Sequence, residues 1–85
     1  MSTKSHIFAI YDKQTEVFLT PILKTHPQQM YRDLQDSVND PRSTFFNHSQ
    51  HFELHYLQSL DLENGEFSFE EEIEQMLNLS HFKEE

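Results

Sequence analysis

Near its middle the chain carries Val38-Asn39-Asp40-Pro41, four residues that have to end a helix. Upstream, Met30, Leu34 and Val38 recur every four residues with Tyr31 beside them, so one apolar stripe faces a core. Arg32, Asp33, Gln35 and Asp36 then face water. Pro27, after His26, suits the first helical position, and Thr25 with Gln28 offers a capping box. Asn39 tolerates the left-handed conformation of many helix exits. Pro41 cannot continue a helix and pushes Asp40 toward extended backbone. The remaining elements must be arranged around this one bounded helix.

Those elements read as strands. From Ser5 to Tyr11, Phe8 and Ile10 alternate with Ile7, Ala9 and Tyr11. Asp12 to Thr15 is a polar turn, and Glu16 to Lys24 reads as a second strand, with Val17, Leu19 and Leu23 in phase opposite Phe18 and Ile22. Pro21 cannot donate to a ladder, so it places this strand at an edge or breaks it. Residues 42–51 read as a loop. Phe52 to Leu60 is a third strand, with Phe52, Leu54, Tyr56 and Leu60 in one phase and His55 and Leu57 in the other. Asn64-Gly65 supplies positive-φ residues for a hairpin turn into a fourth strand, Glu66 to Glu70. Ile73, Met76 and Leu77 show helical spacing behind Glu70-Glu71-Glu72-Glu74, acids suited to a helix N-terminus. The order is β-β-α-β-β-α: one α+β domain over residues 1–85, a small antiparallel sheet with one helix on a face and an acidic helical segment at 70–85.

Charge narrows the function classes. Residues 1–60 hold six acids and five bases, whereas residues 61–85 hold nine acids and only Lys83 as a base. The net −9 repels nucleic-acid phosphates and favours a basic protein surface, or simply keeps the chain soluble. Eight Phe and three Tyr could stack unpaired bases, but such platforms carry basic side chains, and a small domain without Trp needs aromatics for its core. With no cysteine, no disulfide or thiolate chemistry is available. No stretch approaches the roughly 20 apolar residues of a membrane span, and Met1 to Ser5 lacks a signal-peptide run.

Site chemistry is sparse. His48, His51 and His55 are close in sequence, yet His51 and His55 lie roughly 13 Å apart along an extended strand, too far to share a metal ion. No metal, cofactor or catalytic residue is assigned. The serines lack a Gly-x-Ser-x-Gly context, and a single glycine excludes a glycine-rich phosphate loop. Phe45 and Phe46 cannot easily both point inward, so one is a candidate anchor for a partner or a homodimer. Arg32 is a candidate contact, although an ion pair with Asp36 at i+4 is the simpler reading.

Arg32-x-Leu34-x-x-x-Val38-Asn39-Asp40-Pro41 resembles the Arg-x-Phe-x-x-x-Val-Asn-Asp-Pro signature of a small nonstructural protein of gokushoviruses, single-stranded DNA phages of the microvirus group. Phe52-x-Leu54-x-x-Leu57-x-Ser59-x-Asp61-x-x-x-Gly65 resembles its second block, and Tyr11-Asp12 and Pro21 align upstream. The chain departs from the pattern at Ser49, His51 and Gln58. The resemblance implies a counterpart of protein C of the coliphage microviruses. Such a protein acts in the switch from double-stranded replication to single-stranded genome synthesis and packaging, in the host bacterial cytoplasm and outside the virion. It implies a protein partner: a phage initiator, a host replication factor or the procapsid. Tyr11, Asp12 and Arg32 become candidate contacts, although Asp12, like Asn39, Asp40, Pro41, Asp61 and Gly65, is better explained by caps and turns. An acidic DNA mimic and a single-stranded DNA-binding protein are the rival readings.

Overall fold

The structure, a computed structural model, describes residues 3–84. It is an α+β fold with a six-stranded antiparallel sheet and two helices. The long central strands are β1 (Lys4–Asp12) and β4 (Phe52–Asp61), paired along their whole length. β2 (Val17–Phe18) and β3 (Ile22–Lys24) both pair with β1, while β5 (Phe67–Ser68) and β6 (Met76–Asn78) both pair with β4. Helix α1 is Pro27–Val38 and the short α2 is Thr44–His48. Two 3₁₀ turns, Ser49–His51 and Leu79–Phe82, complete the elements among the described residues. Among the described residues no helix is long and apolar enough to cross a membrane.

Helix α1 forms where its stripe predicts, starting at Pro27 and burying Met30, Leu34 and Val38. His26 precedes it without a side-chain cap bond, so the Thr25–Gln28 capping box is not used. The stripe packs on Phe8, Ile10, Phe52, Leu54 and Tyr56 from the sheet, with Ile73 and Leu79 closing the core. Burying each of these side chains contributes roughly 1.5–3 kcal/mol.

The structure departs from the sequence expectations at several points. The strand 16–24 breaks at Pro21, as one of the two expected outcomes had it, but one extra residue is absorbed there: Phe18 pairs with Tyr11 but Leu23 with Ile7. Phe18 and Leu23, of opposite parity, therefore share a face. In β4 the register shifts opposite Ile7 and Phe8, so Leu60 lies on the face opposite to Tyr56 rather than in phase with it. Among the described residues of the expected acidic helix at 70–85, which end at Glu84, no helix forms; a turn, strand β6 and a 3₁₀ turn take its place. A helix there would set Glu70 against Glu74 at i+4 and Glu71 against Glu74 at i+3, whereas the edge of β4 offers backbone partners. Ile73 and Leu79 still reach the core, but Met76 is about half exposed. The loop expected at 42–51 contains α2, and of Asn64-Gly65 only Gly65 has positive φ, at 74°.

Candidate functional site

The end of α1 holds the C-terminal segment. Asn39 is not left-handed; its φ is −102°. Its side chain acts instead: Nδ2 donates to the carbonyls of Gln35 and Phe82 at 2.8 and 2.9 Å, and Oδ1 accepts from the Glu84 N–H at 2.8 Å. Lys83 reaches the same place, its Nζ donating to the Phe46 carbonyl at 2.7 Å and lying 3.5 Å from the centre of the Phe46 ring. Phe45 meets Phe52 edge-to-face at 4.8 Å. Both rings are thus engaged inside the chain. Asp40 accepts from the Arg42 side chain and backbone, contacts that hold its carboxyl below the usual carboxylate range.

Between α1 and the C-terminal segment runs a shallow groove of about 610 Å³, lined by Tyr31, Arg32, Glu74, His81, Phe82 and Lys83 among others. The rings of Tyr31 and Phe82 stack 6.0 Å apart along it. Burial, and then the Glu74 charge, push the Tyr31 hydroxyl above its ordinary pKa. Arg32 stands exposed on the helix, and among the described residues it forms no ion pair, with Asp36 or otherwise.

A second constellation is buried. His6 Nδ1 and the Ser59 hydroxyl are 2.7 Å apart, Ser59 and the Tyr56 hydroxyl 2.6 Å, and Tyr56 accepts the Glu70 N–H. A Ser–His pair suggests a nucleophile and its base. Here Ser59 is fully buried and a third group caps it, so a substrate has no route to the hydroxyl. Spacing alone gives no sign of this pairing, because His6 and Ser59 meet across β1 and β4. The other histidines disperse: His48 lies near His51, and His55 bonds Glu53 at 3.2 Å. Among the described residues no three potential ligands converge on a metal position.

Tyr11 and Asp12 sit at the end of β1. Burial pushes the Asp12 carboxyl up, but the N–H groups of Gln14 and Thr15 outweigh it and leave the group below its ordinary pKa. Asp61 likewise accepts from the N–H groups of Glu63 and Asn64, and Gly65 donates to its carbonyl. Both aspartates therefore fold turns, as their positions predicted.

Tyr11 points the other way, onto the face of the sheet that α1 does not cover. Its ring, Phe18 and His55 form a cluster with centres 4.8–5.8 Å apart. By strand pairing, Ile7, Ala9, Leu23, Gln58, Leu60, Phe67, Met76 and Asn78 share this face, and Leu57 is the unpaired residue of the β4 bulge beside Gln58. Phe18, Leu23, Leu57, Phe67 and Met76 are all substantially exposed. Glu53 is the one charged side chain the strands direct there, and it is bonded to His55.

The family model of the Phage ORF5 protein matches residues 5–82. The chain belongs to the Phage ORF5 protein family. No curated protein and no solved structure matches it. The family match runs through β6 and the last 3₁₀ turn, so the ORF5 domain includes the C-terminal segment that Asn39 and Lys83 hold against α1.

Proposed function

We propose that this ORF5 protein is a non-enzymatic phage accessory factor that acts in viral DNA replication and packaging through protein contacts. It serves the switch from double-stranded replication to single-stranded genome synthesis implied by its likeness to the gokushovirus protein. The observation that favours protein contact, whether with a second copy or with another protein, over nucleic-acid binding is the uncovered sheet face: largely aromatic and apolar, with no lysine or arginine directed onto it by the strands. A stacking platform for single strands needs cations along the phosphate track, and a net charge of −9 opposes phosphate binding further. Partners on the replication side would be a phage initiator, a host replication factor or the procapsid.

The test is capture of a tagged chain from infected cells, with nuclease treatment as one arm. Initiator or procapsid protein retained after nuclease supports the reading; retention that disappears with the DNA overturns it. A second reading, a DNA mimic, draws support from Glu63, Glu66, Glu71, Glu72 and Glu74, which are exposed in the turns flanking β5 rather than in a frayed tail. Displacement of DNA from a host nuclease or repressor by the purified chain would favour it.

A further inference from the structure

We propose that the uncovered sheet face is a homodimer interface whose occupant is the same face of a second copy. The sheet has one face sealed by α1, Ile73 and Leu79, and the other bare. With about 3.3 Å per residue along β1 and β4 and about 4.8 Å between strands, the bare face measures roughly 30 by 15–20 Å. A contiguous apolar area of that size marks an interaction site on a small protein. Two such faces together bury on the order of 1,000 Å², the lower bound for a specific interface.

Charge selects the occupant. The face directs only Glu53 outward, and His55 already bonds it, while the molecule as a whole carries −9. A basic partner would be drawn to the exposed acids around β5 and gains nothing electrostatically from this face. A nucleic acid finds no cation on it. A second copy finds a largely apolar surface matching its own, with Glu53 its one charged side chain, and stacking face to face sends the exposed acids around β5 outward. Other pairings of two copies bring like charges together. The edges are unsuited as well: Pro21 interrupts one, and β5 and β6 are short. The arrangement is therefore two sheets packed about 10 Å apart around a two-fold axis, with the Tyr11–Phe18–His55 cluster and Met76 inside.

This inference rests on the reading that the face does not bind nucleic acid, and the two fail differently. Light scattering on the purified chain should give twice the 10.2 kDa chain mass. Leu23→Glu or Phe67→Glu should raise the dissociation constant at least about tenfold, while Arg32→Glu, on the opposite surface, leaves it unchanged. A monomer at all concentrations, or a dimer indifferent to both face variants, overturns the proposal. Peroxide oxidation of Met76 in the unmodified chain guards against variants that fail to fold. Its rate should fall severalfold on going from dilute to concentrated protein; a rate independent of concentration counts against the interface. Monomer without binding to a labelled oligonucleotide defeats the dimer alone. Dimer with micromolar oligonucleotide binding defeats the functional reading alone.

Discussion

Replacing Asn39 by alanine removes three hydrogen bonds at once: those to the Gln35 and Phe82 carbonyls and that from the Glu84 N–H. A net hydrogen bond contributes about 0.5–1.5 kcal/mol, and two of these three are solvent-exposed, so the expected loss is roughly 1–3 kcal/mol. For a domain of this size that lowers the melting temperature by roughly 5–20 °C. Asn39→Asp keeps the acceptor but loses both donors, and it turns a negative charge toward two carbonyl oxygens, so it should be no more stable than Asn39→Ala. The effect should also be local. In native-state hydrogen exchange the amides of Lys83 and Glu84 lose protection, while those paired between β1 and β4 keep theirs at low denaturant. A full-strength Glu84 amide in Asn39→Ala would refute the claim that this residue holds the C-terminal segment to the helix.

Ser59→Ala leaves His6 and the Tyr56 hydroxyl without their shared partner in a buried site, and urea unfolding should show a loss of about 1–3 kcal/mol. Leu34→Ala opens a cavity under the helix and should cost about 2–5 kcal/mol by the same assay. At Gly65 a Cβ meets nothing within 4 Å, so Gly65→Ala should cost only the left-handed backbone term of about 1–2 kcal/mol. The Asp40 carboxyl, bonded by the Arg42 side chain and backbone, titrates below its ordinary 3.8 when folded. Its contribution is therefore present above the unfolded value and is lost as pH falls through the folded one. Acid unfolding curves of wild type and Asp40→Asn should be separated above the unfolded value of 3.8 and converge as pH falls through the lower folded one.

The helix and the two long strands were legible because their periods are clean and their ends carry proline or turn residues. Asp12 and Asp61 were equally readable, since an aspartate ahead of a turn bonds nearby N–H groups whatever the fold around it. What escaped reading depended on partners far along the chain. Asn39 looked like a backbone cap, yet its side chain bonds Phe82 and Glu84, more than forty residues away. Ile73, Met76 and Leu77 fit a helix by spacing, but the open edge of β4 decided otherwise. The sheet face itself was hidden by two register shifts. Counting by twos puts Phe18 and Leu23 on opposite sides, and only the extra residue near Pro21 brings them together. Phe45 and Phe46 drew notice as an unusual pair, but the bare surface lies on the sheet.

On the proposed reading, an exposed aromatic face without cations should not bind single-stranded DNA. Fluorescence anisotropy of a labelled single-stranded oligonucleotide, titrated with the purified chain at about 150 mM salt, tests it most directly. The expected result is no saturable binding in the micromolar range, and little change when Phe18 is replaced by alanine. Micromolar affinity that weakens with added salt and is lost in Phe18→Ala would contradict it.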